Sequence, residues 1–270
     1  MADHSIFITG SSTGLGKATA RLFAANGWRV VATMRHPERE TELAGVPGIK
    51  LAALDVTRPE QIRAAAAQAL VDGPIDVVFN NAGYGLAGPL EGTADDQIVQ
   101  EIDTNLLGVI RTTQAFLPAF RERRKGLFIT TTSIGGLVAL PLNSVYHATK
   151  WALEGWSESM AFELSKFGIG IKTVSPGGIK TDFLGRSLVL TQHPAYAELA
   201  AKVLAVFTDP ARNATYSTAD EIAAVVYEAA TDGKSQLRYV AGEGAKAWYA
   251  QRKAVGDEAF RAGIDKAFFG

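Results

Sequence analysis

The chain has no cysteine among its 270 residues, which excludes a disulfide framework and a metal held by thiolates. No metal site is expected. Neither sign of charge is in excess: 27 Lys and Arg face 28 Asp and Glu, a formal net charge of −1. Such a balance gives no reason to expect nucleic acid or an anionic membrane as a partner. No apolar run approaches the ~20 residues of a membrane span. The opening Met1-Ala2-Asp3-His4 enters a short apolar stretch directly, with no basic region and secretory core ahead of it. A cytoplasmic protein is therefore expected. Internal repeats, low-complexity tracts and long polar linkers are also lacking, so residues 1–270 are expected to form a single domain.

What is present is an alternation. Short β-branched or apolar runs at residues 5–9, 29–34, 49–54, 75–80, 126–133, 169–175 and 237–241 take turns with helical patterns at 15–26, 59–71, 94–124, 144–167 and 218–231. Strands alternating with helices imply right-handed crossovers and a doubly wound α/β fold, a parallel sheet covered on both faces. The uninterrupted apolar run Val77-Val78-Phe79 suits a strand buried on both sides. The segment 178–215 breaks the rhythm and is expected to form a lid over a substrate. The tail 242–270 reads as helical and is rich in aromatic residues.

Glycine is over-used, with 27 residues against a typical share of about 7%, and many of them sit where strands end. The first such cluster is Thr9-Gly10-Ser11-Ser12-Thr13-Gly14-Leu15-Gly16, between a strand and a helix. Glycines there permit a tight turn and close approach of the backbone to a pyrophosphate, while the helix N-terminus offers free N–H groups. Gly10, Ser12, Thr13, Gly14, Leu15 and Gly16 are the expected phosphate contacts. At the end of the second strand an acidic residue would bind a ribose 2′-hydroxyl. The sequence there is Thr33-Met34-Arg35-His36, and Arg35 suits a 2′-phosphate instead. NADP is expected, with NAD the less favoured alternative.

Tyr146 and Lys150 lie four residues apart in a helical pattern, on one face about 40° apart and roughly 6 Å along the axis. A phenol near pKa 10 is a poor base at neutral pH. An ammonium ~4 Å away, at an effective dielectric near 20, favours the phenolate by about 4 kcal/mol, or about three pKa units. Ser133 ends an apolar strand just before Gly135-Gly136, at the strand end where open α/β sheets bind ligands. Its hydroxyl suits the orientation of a carbonyl oxygen. Ser133 and Tyr146 are the expected substrate contacts. A plain surface pair and a strand-capping serine remain the bland alternatives.

Taken in order, the Gly10/Gly14/Gly16 turn, Asp55-Val56, Asn80-Asn81-Ala82-Gly83, Asn105, Ser133, Tyr146/Lys150 and Pro176-Gly177-Gly178-Ile179 resemble the short-chain dehydrogenase/reductase family over about residues 5–240. The phrases at 84–90 and 176–181 look most like its 17β-hydroxysteroid and retinol dehydrogenase-like branch. The resemblance implies a Rossmann fold with sheet order 3-2-1-4-5-6-7 and an oxidoreductase acting on alcohols and ketones. It implies Tyr146 as general acid/base, Lys150 as its partner and ribose anchor, Ser133 as the orienting hydroxyl, and Asn105 as support for a proton relay. Asp55 and Val56 would flank adenine. Asn81, Ala82 and Gly83 would line a ribose, and Pro176, Gly177, Ile179 and Thr181 the nicotinamide carboxamide. Relatives pair their long helices, so a homodimer or homotetramer is expected. Leu137, Val138, Leu140, Leu142, Phe183 and Leu184 either line a site for a hydrophobic small molecule or belong to the core. A catalytically silent nucleotide sensor and a nucleotide-sugar epimerase are the competing readings on the same fold.

Overall fold

Side chains on a strand alternate between faces, and in Ser5–Thr9 both Ile6 and Ile8 on one face and Phe7 on the other are buried. The strand is therefore covered on both sides, and so are its neighbours. In the computed structural model, which describes residues 4–180 and 188–270, the main sheet comprises β1 (Ser5–Thr9), β2 (Arg29–Met34), β3 (Ile49–Ala53), β4 (Val77–Asn80), β5 (Gly126–Thr131), β6 (Ile169–Pro176) and β7 (Arg238–Ala241). All pairings between them are parallel, and the order is 3-2-1-4-5-6-7, as the resemblance implies. Helices α1 (Gly14–Ala25) and α7 (Ala219–Thr231) cover one face through Phe23, Ile222 and Val226. Helices α2 (Pro59–Val71), α4 (Gly108–Arg123) and α5 (Ser144–Leu164) cover the other through Ile62, Phe116 and Leu164.

Two departures bear on the site. The helix expected over 94–124 is not continuous. Helix α3 (Asp95–Ile102) passes into a π turn over Asp103–Leu107 before α4 begins. A π turn holds an extra residue per bond, i→i+5, and such turns are frequent at functional sites. The strand expected to reach Ser133 ends at Thr131, because Ser133 leaves the ladder to cap a short 3₁₀ turn, Ile134–Gly136.

The segment expected to be a lid carries regular structure where it is described. Leu188–Leu190 pairs with Gly85–Ala87, and Ile179–Lys180 with Ser217–Thr218. Helix α6 (Ala197–Thr208) follows. Thr181, Phe183 and Leu184 lie outside the described residues. The tail forms α8 (Glu243–Val255) and α9 (Asp257–Phe269). It packs Ala245 and Phe260 on Ile134, Leu137 and Val138, so those last two residues are core beneath the tail. The Arg212 guanidinium lies 4.6 Å from the Trp248 ring, 5.0 Å from Phe207 and 5.8 Å from Phe268, joining the segment after β6 to the tail.

Candidate active site

The glycine turn is built by close approach. Gly10 has φ +71° and Gly14 +52°, a region costly for residues with a Cβ. A Cβ on Gly10 would stand 2.8 Å from Ala82 Cα. Asn81 Nδ2 donates to the carbonyls of Thr9 (3.2 Å) and Gly10 (3.0 Å), its Oδ1 accepts from Thr131 Oγ1 (3.2 Å), and Thr9 Oγ1 accepts from the N–H groups of Asn81 and Ala82. The turn is thus fastened to the ends of β4 and β5. The α1 N-terminus has no side-chain cap and no acidic residue in its first turn, and Ser12 and Thr13 are exposed beside it. Free N–H groups with a positive dipole end fit a pyrophosphate.

Arg35, at the carboxyl end of β2, is exposed and has no partner among the described residues. The nearby acid Glu38 is held by His36 at 3.2 Å and Arg39 at 3.8 Å. Asp55 Oδ1 accepts from Thr57 N and Oγ1, while its own N–H donates to Gln61. Val56 is buried against Gly108, where a Cβ would meet it at 3.0 Å. Pro176 ends β6, and Gly177, the next residue, lies under Ala245 of the tail, its prospective Cβ 3.2 Å away.

The residues expected to handle the proton come from three elements. Ser133 Oγ accepts from Gly135 N at 3.0 Å. Gly135 and Gly136 let α5 press onto this turn: their prospective Cβ atoms would lie 2.9 Å from His147 Nε2 and 2.8 Å from the Lys150 carbonyl. That contact seats Tyr146 and Lys150 beside Ser133. Lys150 Nζ donates to the Thr131 carbonyl at 3.0 Å and lies 5.7 Å from the Tyr146 ring centre. The π turn presents Asn105, fully buried, whose Nδ2 donates to the Tyr84 carbonyl (2.7 Å) and Glu101 Oε1 (2.8 Å) and whose Oδ1 accepts from Tyr84 N (3.0 Å). A Cβ on Gly83 would stand 2.9 Å from Asn105 Oδ1 and 3.7 Å from Lys150 Nζ. Glycine at 83 therefore keeps the space between those two polar groups open.

Burial sets the electrostatics. It pushes the Tyr146 phenol up to about 12, against hydrogen bonding from Ser133, with Glu101 pushing the same way as burial. It depresses the Lys150 ammonium to about 8, against the carboxylates of Glu101 and Glu154. The lowering of the phenol expected from the helical spacing of Lys150 does not appear in the bare protein: burial raises it, and the influence that opposes burial is the Ser133 hydrogen bond. In the bare protein the phenol is an acid that keeps its proton.

Three residues of this region were not expected. Glu101 and Tyr84 pack against Asn105; the signal for Glu101 was its place four residues before Asn105, the spacing of one helix face. His147 is buried where α5 presses on the Gly135 turn; burial lowers its imidazole to about 4, and its Nδ1 accepts weakly from Leu140 N.

The sequence profile of the short chain dehydrogenase family matches residues 4–188. Human 17-beta-hydroxysteroid dehydrogenase type 1 is 36% identical over 265 residues, covering 90% of this chain and 79% of that protein. A short-chain dehydrogenase from Streptomyces avermitilis superposes with a TM-score of 0.85 at 30% identity, over 98% of this chain and 96% of that one. A short chain dehydrogenase from Burkholderia cenocepacia in complex with NADP superposes with a TM-score of 0.78 at 25% identity, over 97% of each chain.

Proposed function

The chain belongs to the short-chain dehydrogenase family, and from that premise we propose that it uses NADP to interconvert a secondary alcohol and a ketone, or a primary alcohol and an aldehyde, on an apolar small molecule. As a family member it is an oxidoreductase acting on CH–OH groups with NAD(P). The observation that most supports the finer reading is the convergence of Ser133, Tyr146, Lys150 and Asn105 at the carboxyl edge of the sheet, beside the glycine turn.

When bound, the nicotinamide exchanges the hydride; the chain's own side chains manage the proton and the geometry. Gly10, Ser12, Thr13, Gly14, Leu15 and Gly16 would hold the pyrophosphate, Asp55 and Val56 the adenine, and Asn81, Ala82 and Gly83 a ribose. Pro176, Gly177 and Ile179 would meet the carboxamide, as would Thr181 beyond the described residues. Ser133 orients the carbonyl oxygen by a hydrogen bond. Tyr146 gives its phenolic proton to that oxygen in reduction and takes it back in oxidation. Lys150 anchors ribose and supports the phenolate. Asn105 supports proton return through the space that Gly83 leaves open.

Arg35 is the proposed selector of NADP. A charge-assisted contact to a 2′-phosphate contributes about 1.5–3 kcal/mol, so wild type should prefer NADP over NAD roughly 10- to 100-fold in kcat/KM. Arg35→Ala should lose that preference. Equal wild-type values for the two cofactors, or an unchanged ratio in the variant, would sink the assignment.

A dimer or tetramer is part of the same reading. Trp151, Gly155 and Phe162 fall on one stripe of α5; Phe162 is 74% exposed, and the space over Gly155 is open. Val99 and Ile102 of α3 are exposed as well. Light scattering at micromolar concentration should give a multiple of the 28.7 kDa chain mass. A monomer at that concentration contradicts it.

A further inference from the structure

Glu101 is a carboxyl that the chemistry above leaves without a task. It sits on the last turn of α3 and is fully shielded from solvent. A carboxylate in such a place is costly unless partners replace the lost water. Oε1 has one: Asn105 Nδ2, at 2.8 Å. Oε2 is buried with no partner at full hydrogen-bond geometry, and the hydroxyl that bonds toward the carboxyl is that of Tyr84.

The titratable groups acting on this carboxyl come from α5 and from the loop after β4. Lys150 draws it toward ionisation, and so does the Tyr84 phenol. Tyr146, on the same helix as Lys150, feels its charge. Lys150 in turn is pulled out of water, 6% exposed, with the Thr131 carbonyl as its hydrogen-bond acceptor. Burial favours a neutral amine. Two carboxylates oppose that, Glu101 ahead of Glu154. Glu154 is committed elsewhere, accepting from Thr132, Thr173, Ser175 and Arg238. Among the described residues, Lys150 is the cation that acts on Glu101.

We propose that Glu101 is a positioning residue of this active site with two tasks: it holds the Asn105 amide through Oε1, and its charge keeps the buried Lys150 an ammonium. The proposal rests on the reading of Lys150 as the phenol's partner and ribose anchor. Its two tasks are separable. Glutamine keeps an oxygen for Asn105 Nδ2 and removes the charge; leucine removes both.

The sign follows from the directions of titration. Glu101 is raised to about 7 by burial, against Lys150, so its charge is present above that pH. Lys150 is lowered to about 8 by burial, against Glu101, so its charge is lost above that pH. A neutral residue at 101 removes an upward influence on Lys150. Its deprotonation then moves to lower pH, and the deficit grows as pH rises.

The test compares wild type, Glu101→Gln, Glu101→Leu and Lys150→Met between pH 6 and pH 8, by NADP affinity from titration calorimetry and by kcat/KM with a reducible ketone. The ratio of wild type to Glu101→Gln should rise several-fold from pH 6 to pH 8 in both measurements. Glu101→Leu should fall below Glu101→Gln at every pH. A constant ratio for Glu101→Gln overturns the electrostatic task, and a Leu variant equal to Gln overturns the amide clamp. Lys150→Met separates these failures from failure of the site reading. If it keeps the wild-type affinity and alkaline limb, Lys150 is not the group in question and both readings fall. If it loses them while Glu101→Gln overlays wild type, the Glu101 proposal alone falls.

Discussion

Tyr146→Phe should lower turnover by about 10²–10⁴-fold, the usual contribution of a positioned acid or base, while NADP binds with nearly unchanged affinity. The substitution deletes one oxygen and its proton and leaves the ring, so the packing of α5 is kept. Nothing beside it can substitute. His147 is next in sequence, yet it faces the Gly135 turn and Leu140, and burial holds it down to about 4. The Ser133 hydroxyl can orient a carbonyl but is far too weak an acid to protonate it at neutral pH. The measurement is kcat with a turned-over ketone, together with the NADP dissociation constant. A variant that retains more than about a tenth of wild-type turnover would show that the proton comes from another group.

The second large effect is expected at Gly16. A Cβ there would lie far inside the 3.0 Å that real Cβ atoms keep from the Gly10 carbonyl oxygen, 2.9 Å from the Gly10 carbonyl carbon and 2.6 Å from Asn81 Nδ2. Neither neighbour can retreat cheaply. Gly10 is held at φ +71° with its carbonyl bonded to Asn81, and Asn81 is itself tied to Thr9 and Thr131. Forced overpacking typically costs about 1–3 kcal/mol and sometimes more. At roughly 2–4 °C per kcal/mol for a domain of this size, Gly16→Ala should melt several degrees below wild type. Because the distortion falls on the proposed pyrophosphate turn, wild type should gain melting temperature with NADP and Gly16→Ala should not. A variant that melts normally and is still stabilised by NADP would remove the turn from the cofactor site.

Much of this was legible in the sequence because the rules involved are local. Strand and helix periods placed all seven main strands to within about two residues, and glycines marked the turns after β1 and β5. The motifs therefore fell on strand ends without any knowledge of the packing. The missing parts are non-local or run against a prior. The pairing of Leu188–Leu190 with Gly85–Ala87 joins segments about a hundred residues apart, and no short window contains it. No residue type marks the π turn of 103–107, which shows only in the backbone bonding. Glu101 reads as a surface residue because glutamate is almost never fully buried unless paired. Leu137 and Val138 looked equally like substrate lining and core until the tail was seen to lie over them.

The π turn also sets how this chain tolerates changes of length. One residue of α-helix is 100° of rotation and 1.5 Å of rise. Removing a single residue such as Thr104 would restore an uninterrupted helix from Asp95 to Arg123, but only by turning α3 through about 100° relative to α4. Glu101 and the outward-facing Val99 and Ile102 would all swing by that angle relative to the residues that α4 holds in place. A helix that looks like an ordinary surface element thus behaves as a reading frame. Chimeras assembled from related chains should keep residues 95–123 from one parent, and random deletion libraries should be depleted there as strongly as at the glycine turn.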